Sequence, residues 1–394
     1  MKQYQGATVK CWNTGLFIKP IIHKDLPYHP INHIDVKSQY PSVKILLNLS
    51  PETVRLISIK PYTGEYRFDA ATRIIEVPDN RNGQVTAQVS EASGITRDML
   101  LELFKEKAEI KSRSDFGTAE SEAEYNFVKL RMNAGYGYDG LEFARYGWML
   151  IAIITTAIGR LIISRIIEVC TRFGVTLLEC DTDGLYVYNP NVVDPQILID
   201  AINADLHEYF KAWISSDIVT NYWKGISVEL NQYDGILIYK RKNYVLLTTK
   251  NTLVFHGSGL HGRGLPPLCT KAIDRFATGV LRGEPVGSIW QEYENLHKFP
   301  LKEFTLTVGM GKREYKRGSM YQKLLSQLSA DDREYLGTEL YFVKLRNGYM
   351  PLGVKPDDVL TRELDYDYYR ARLNKAVRER VLSPINYNRS MCDF

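Results

Sequence analysis

The stretch HIDVKSQYPS (residues 33–42) decides how the chain is read. It leads from an apolar residue, Ile34, into a carboxylate, Asp35, and then interrupts the chain with Tyr40, Pro41 and Ser42. A strand that ends on an acid and then breaks delivers that acid to the end of a sheet. A simple cap would also explain an Asp before a Ser. A second acidic stretch, VTLLECDTDGLYVY (175–188), reads as two apolar strand arms around a tight turn, with Asp183-Gly184 at the bend and Asp181 beside it. Asp-Thr-Asp-Gly is an ordinary turn sequence too. Carboxylates from two separate strand ends can nevertheless converge on a pair of hard divalent cations, which take oxygen ligands and leave room for phosphates.

Between the two acidic stretches the pattern turns helical. RDMLLELFKEKAEIKSR (97–113) repeats apolar residues at Met99, Leu100, Leu103, Phe104 and Ala108 opposite a polar face. Lys107 and Lys111 lie four apart on that helix. After a polar break, SDFGTAESEAE (114–124), a second helix is expected from about Tyr125, with Lys129 at its start, Asn133 four residues on and Tyr136 three further. Two antiparallel helices presenting three ammonium groups to one cleft form a polyphosphate clamp. A solvated basic face explains Lys107 and Lys111 equally well; it explains KLRMNAGYG (129–137) less well, because Asn and Gly are poor helix formers.

The chain has 394 residues, enough for two or three packed units, and a net charge of only +4. Its positive charge is clustered, in Lys240-Arg241-Lys242, in GKREYKRG (311–318) and in Arg370, Arg372, Lys375, Arg378 and Arg380. Such clusters with aromatics between them suit a phosphate backbone, although each alone can be a solvated face. Five scattered cysteines without a C-x-x-C pair imply a reducing compartment and no structural zinc. The start, MKQYQGATVK, lacks the apolar core of a signal peptide. WMLIAIITTAIGRLIISRII (148–167) is interrupted by Arg160 and Arg165 and reads as a buried helix, so a cytoplasmic protein with no membrane partner is expected. SVKILLN (42–48), after Pro41, reads as the start of a helix, residues 54–88 as hairpins, GILIYKRKNYVLLTT (235–249) as a further strand pair, and the chain beyond about 257 as holding several helices after a boundary near 250–265.

In this order, the motifs resemble those of the family B DNA polymerases. DVKSQYPS resembles the first palm motif, D-x-x-S-L-Y-P-S, with Gln39 in place of leucine. KLRMNAGYG resembles the fingers motif, K-x-x-x-N-S-x-Y-G, with Ala134 in place of serine, and ECDTDG (179–184) resembles Y-x-D-T-D-S, with Glu179 and Gly184 departing. NLSPETV (48–54), FKEKAEIKSR (104–113), AIGR (157–160), KNY (242–244), LDYDYY (364–369) and YQGA (4–7) are similar to flanking elements of the family. The resemblance implies an α+β right-hand polymerase: an antiparallel-sheet palm (1–95 and 148–255), a two-helix fingers hairpin (96–147) and a mostly helical thumb (256–394).

By the same resemblance, Asp35, Asp183 and Asp181 are the catalytic acids, and Asp35, Asp183 and the Val36 carbonyl ligate two magnesium ions, with manganese an admissible substitute. Ser38, Gln39, Tyr40, Lys107, Lys111, Lys129, Asn133 and Tyr136 would bind the incoming dNTP, with Tyr40 closing the space of a 2′-hydroxyl and Lys107 standing where the family usually has arginine. Gly137, Lys242, Tyr244, Tyr4 and Gly6 would meet primer–template DNA. A separate exonuclease subunit and replication accessory proteins are further candidate partners. The position of YQGA implies that no exonuclease domain precedes it here and that this chain does not proofread; the short spacings between motifs favour ordinary primer-dependent synthesis by a bacterial or phage enzyme. Competing readings are a catalytically idle DNA-binding subunit, a glycosyltransferase using Asp181-Thr182-Asp183, and reverse transcription.

Overall fold

The computed structural model describes residues 3–4, 7–12, 15–18, 29–79, 81–141, 144–145, 147–189, 194–240, 242–257, 260–262, 264–309, 315–329, 339–352 and 357–383, with backbone only for those before residue 29 and for 357–358. They form two compact units: one of residues 31–232 with the strands that precede residue 21, the other of residues 233–383.

The first unit is built on an antiparallel sheet of β1 (Gln3–Tyr4), β2 (Ala7–Trp12), β3 (Gly15–Ile18), β9 (Thr176–Asp181), β10 (Gly184–Tyr188) and β4 (Ile31–Val36), in that spatial order. Along β4 the side chains alternate: Ile34 and Val36 are sealed in the core, whereas His33 and Asp35 on the other face are only half-buried. Between β4 and β9 the chain forms α1 (Gln39–Leu47), a four-stranded antiparallel sheet in the order β5 (Val54–Lys60), β8 (Gly83–Val89), β7 (Ile74–Asp79), β6 (Arg67–Asp69), then α2 (Ile95–Ser112), α3 (Ala119–Asp139) and α4 (Met149–Arg172). Helix α5 (Pro195–Phe210) packs on α4, and β11 (Val228–Lys240) begins in this unit.

Helix α4 is long and apolar enough to cross a bilayer, yet most of it is buried in the core through Ile151, Ile154, Ile158 and Ile162, as the arginine-interrupted sequence predicts. Arg160, on this helix, is itself buried and donates to the Pro78 carbonyl of β7 at 2.9 Å. Asn48, in the left-handed conformation at the end of α1, is fully buried and satisfied: its amide donates to the Ser90 and Ala92 carbonyls, and its oxygen accepts from the Gly94 N–H. That one side chain ties the end of α1 to the start of α2.

Three boundaries differ from the sequence expectation. Helix α3 begins at Ala119, well before Tyr125, because Thr118 caps it by accepting from the Ser121 N–H and Glu120 and Glu122 favour its first turn; Lys129 is thus mid-helix. Helix α1 starts at Gln39, ahead of Pro41, since a proline in the first turn loses no helical hydrogen bond. The bend of the β9–β10 hairpin is Thr182-Asp183, and Gly184 already pairs with Asp181 and Asp35.

The second unit continues β11 into β12 (Asn243–Thr248) and β13 (Leu253–His256), followed by α6 (Pro267–Leu281), α7 (Val286–Gln291), α8 (Met320–Leu325), α9 (Asp357–Glu363) and α10 (Tyr366–Val377). It also holds an antiparallel sheet of β14 (Leu306–Gly309), β15 (Glu339–Leu345) and β16 (Gly348–Pro351), in a region where several helices and no strands were singled out. The missed cue is Asn347-Gly348, a hairpin dipeptide between apolar runs. In LDYDYY, Asp365 caps α10 by accepting from the Tyr368 N–H, and the buried Tyr369 hydroxyl accepts from the Lys344 N–H. Arg370 and Arg372, from the expected basic cluster, donate to the Glu294 and Gly264 carbonyls, so this pair builds the unit itself.

Lys44 of α1 and Asp139 at the end of α3 form an ion pair that is almost entirely buried, with side-chain exposures of 4% and 7%. Removing one member strands the other's charge away from water. Lys44→Met is therefore expected to lower unfolding stability by about 3–5 kcal/mol in denaturant titration, and Lys44→Met with Asp139→Leu to recover most of that loss.

Candidate active site

Asp35, the penultimate residue of β4, lies directly opposite Gly184, and Gly184 pairs on its other side with Asp181. The Val36 N–H donates to the Asp183 carbonyl at 2.8 Å, which ties the two acidic strand ends together through the backbone. The Lys37 N–H then donates to the Ser227 carbonyl, and Ser38 turns the chain in the left-handed region, φ 46°, to start α1. Ser42 locks the turn from inside: its hydroxyl donates to the Lys37 carbonyl at 3.1 Å and accepts from the buried Trp223 indole at 3.3 Å. The first N–H groups of α1 have no intrahelical acceptor and suit an anion.

These residues open onto a cleft of about 540 Å³ in the first unit. Asp35, Val36, Ser38, Gln39 and Tyr40 line one wall and Asp183 a second; Lys107 and Lys111 of α2, with Lys129, Asn133 and Tyr136 of α3, line a third. Eleven residues from four separated stretches thus share one cavity. Asp181 and Gly137 are not part of that lining. Lys242 and Tyr244 belong to the second unit, Lys242 exposed in the left-handed conformation at the β11–β12 turn and Tyr244 buried and stacked on His256 at 4.6 Å. The Tyr4 side chain and Gly6 lie outside the described residues.

The electrostatics of the cleft are those of two opposed charge groups. Asp35 is pushed up to about 7, first by burial, then by the carboxylates of Asp183 and Glu229, with Lys129 and Lys107 pulling the other way. Lys107 is held below the usual lysine range, first by burial and then by Lys129 and Lys111, while its ammonium donates to the Ser38 hydroxyl at 3.2 Å. Acids that crowd one another gain from a cation, and ammonium groups that crowd one another gain from a polyanion. Tyr40 packs on Tyr136 with ring centroids 4.5 Å apart, and burial, followed by Tyr136 and Asp183, raises its phenol above the ordinary range.

Behind Tyr40 stands Gly159 of α4. A Cβ there would come within 2.9 Å of Gln39 Oε1 and 3.2 Å of Tyr40 Cε1, so glycine lets α4 close on the cleft wall. Gln39 is buried, its amide donates weakly to the Gly159 carbonyl at 3.4 Å, and its Oε1 meets no hydrogen-bond partner among the described residues.

Sequence reading did not single out Glu229, Tyr125, Phe104 or Tyr222, which also line the cleft. Glu229 is the second residue of β11, inside SVELNQ, and carries no motif; only the alternation of Val228, Glu229 and Leu230 marks it as facing away from its apolar neighbours. Among the described residues no three His, Cys, Asp or Glu side chains are placed to hold a metal by themselves.

The model of DNA polymerase family B matches residues 1–284. The chain belongs to that family. It is 26% identical over 385 residues to DNA polymerase 1 of Aeropyrum pernix, an overlap covering 90% of this chain and 35% of the relative. With DNA polymerase 1 of Saccharolobus solfataricus it shares 25% identity over 397 residues, 96% of this chain and 41% of the relative. The chain thus spans less than half the length of these relatives. Its fold matches the family B DNA polymerase of the hyperthermophilic archaeon Pyrobaculum calidifontis with a TM-score of 0.65 at 20% identity, over 96% of this chain and 47% of the other.

Two measurements test this geometry. Asp35 stays protonated in the folded state up to about pH 7 but ionises near its ordinary value of 3.8 when unfolded, so in metal-free solution stability is full below that value and falls as pH rises towards 7. Asp35→Asn is expected to lack this slope in denaturation experiments across pH. Gln39→Leu removes a buried acceptor and is expected to raise unfolding stability by about 1–2 kcal/mol.

Proposed function

We propose that the cleft performs template-directed addition of deoxynucleotides to a primer 3′-hydroxyl with release of pyrophosphate. In this reading, residues 1–95 and 148–255 form the palm, 96–147 the fingers and 256–394 the thumb. The observation that carries it is the convergence of Asp35 and Asp183 with Lys107, Lys111 and Lys129 on a single cavity large enough for a nucleoside triphosphate. Family membership supports it independently.

The donor set suits magnesium. Asp35 and Asp183 are hard oxygen donors, the mutual crowding of the acids is relieved by positive charge, and the Val36 carbonyl, substrate oxygens and water would complete the coordination that two side chains leave open. When bound, the metal pair supplies Lewis acidity to the primer hydroxyl and neutralises charge on the triphosphate. Asp181 supports the turn that presents Asp183: its carboxylate accepts from the Thr182 hydroxyl at 2.9 Å.

The chain's own groups do the rest. Lys107, Lys111 and Lys129 hold the phosphates as point charges, and the N–H groups at the start of α1 hold them directionally. Tyr40, fixed between Tyr136 and Gly159, closes the space a ribose 2′-hydroxyl would need. Asn133 and Tyr136 line the nascent base pair, so base choice comes from template pairing and pocket shape. Lys242 and Tyr244 hold the primer backbone, with Gly137 and the YQGA element as further DNA contacts, which makes affinity salt-dependent.

Extension of a labelled primer on a DNA template, with magnesium and dNTPs, decides between the readings. The wild type is expected to extend and Asp183→Ala to fall below detection; equal extension by the two would sink the proposed role of Asp183, and no extension by the wild type would sink the proposal and favour a glycosyltransferase or an idle DNA-binding subunit. Lys129→Ala is expected to raise KM for dNTP about ten- to a hundredfold, the loss of one charge-assisted contact. Tyr40→Ala is expected to lower discrimination against ribonucleotides by about tenfold or more, ~1.4 kcal/mol, in competition assays.

A further inference from the structure

The face of the sheet that carries the acids carries a second row of polar side chains. Asp35, Gly184 and Asp181 form one row across β4, β10 and β9; His33, Tyr186 and Glu179, two residues along each strand, form the next. On the opposite face Ile34, Leu185 and Cys180 are fully buried. His33 stacks flat on Tyr186, with centroids 4.3 Å apart and planes 14° from parallel.

The His33 ring occupies the space that a side chain at position 184 would need. A Cβ on Gly184 would lie 2.5 Å from His33 Nε2, 3.4 Å from its Cδ2 and 3.2 Å from Asp35 Oδ1. The first distance is too short for any real contact, and the obstacle is a ring fixed by stacking and not the end of a flexible chain. Serine, which stands at this position in the family motif, cannot be accommodated without moving either His33 or Asp35.

We propose that His33 is a positioning residue for the acidic pair and that it is interlocked with Gly184: the imidazole replaces the side chain missing from the turn and holds the end of β4 against β10, so that Asp35 and Asp183 keep their separation. The histidine and the glycine are one adaptation, and neither tolerates the other's reversal alone. The kinetic and manganese readouts of this inference rest on the polymerase reading; the unfolding readout does not.

A double-mutant cycle tests it with His33→Val, Gly184→Ser and both together, read by unfolding temperature, manganese binding by electron paramagnetic resonance, and primer extension. Gly184→Ser alone is expected to weaken manganese binding about tenfold and to lower kcat on the order of a hundredfold with little change in KM for dNTP. The double variant is expected to return to within a few-fold of the wild type in both, and to unfold at a higher temperature than Gly184→Ser. A Gly184→Ser protein indistinguishable from the wild type, or a double variant no better than the single, would overturn the interlock. If Gly184→Ser does not fold, recovery of folding in the double variant supports the interlock and its absence overturns it. A wild type that extends no primer or binds no manganese counts against the polymerase reading alone, because the unfolding temperatures of the cycle still decide the interlock.

Discussion

The structure of the first unit depends on an electrostatic arrangement that cannot stand at rest: carboxylates on two neighbouring strand ends, partly removed from water, facing a cluster of ammonium groups on two helices. Asp35 alone shows the tension, raised to about 7 by burial and by Asp183 and Glu229 even with Lys129 and Lys107 nearby. Lys107 shows the reverse. Each cluster is destabilised by its own members, and the cleft between them separates the two. A ligand made of cations and phosphates relieves both at once, which neither a cation nor an anion alone would do. The rest of the unit holds these groups in place without letting them collapse on one another: the Val36–Asp183 backbone bond, the Ser42–Trp223 lock and the Lys44–Asp139 pair all brace the cleft from behind.

Much of this was legible in the sequence because motif chemistry is local. HIDVKSQYPS and ECDTDG declare strand ends and acids within a few residues each, and their pairing partner is implied once both are seen as strands. The lysines were legible through helical spacing, although the start of α3 was misplaced because the Thr118 cap lies inside a stretch that reads as a polar break. Glu229 was not legible. It reaches the cleft only because Lys37 pairs with Ser227 across a long sequence separation, and nothing in SVELNQ marks that contact. The β14–β16 sheet was missed for a related reason: its two outer strands have only four residues each, and β14 finds its partner far along the chain.

The departures from the family pattern divide by whether packing accounts for them. Gly184 fits His33, and Gly159 makes room for Gln39 and Tyr40. Gln39 itself replaces an apolar residue and leaves one acceptor without a partner among the described residues, so its presence is a cost that its bond to Gly159 offsets only in part. Glu179 lies opposite Tyr186 and is almost fully buried; nothing in the described residues explains the exchange.

Backbone strain follows the same division of labour. Ser38 and Thr182 both adopt left-handed conformations, with φ of 46° and 60°, and they follow the two acidic strand ends. For a β-branched residue this conformation costs about 1–2 kcal/mol, and glycine would adopt it freely. The Thr182 hydroxyl offsets that cost by donating to Asp181 Oδ1 at 2.9 Å, while the Asp183 N–H donates to the Asp181 carbonyl at 2.7 Å. A glycine would relax the turn and remove the hydroxyl that holds the Asp181 carboxylate. The strain is therefore the counterpart of a tight, fixed turn: the same short turn carries Asp183, whose carbonyl accepts from the Val36 N–H and so fastens the hairpin to the strand end that bears Asp35.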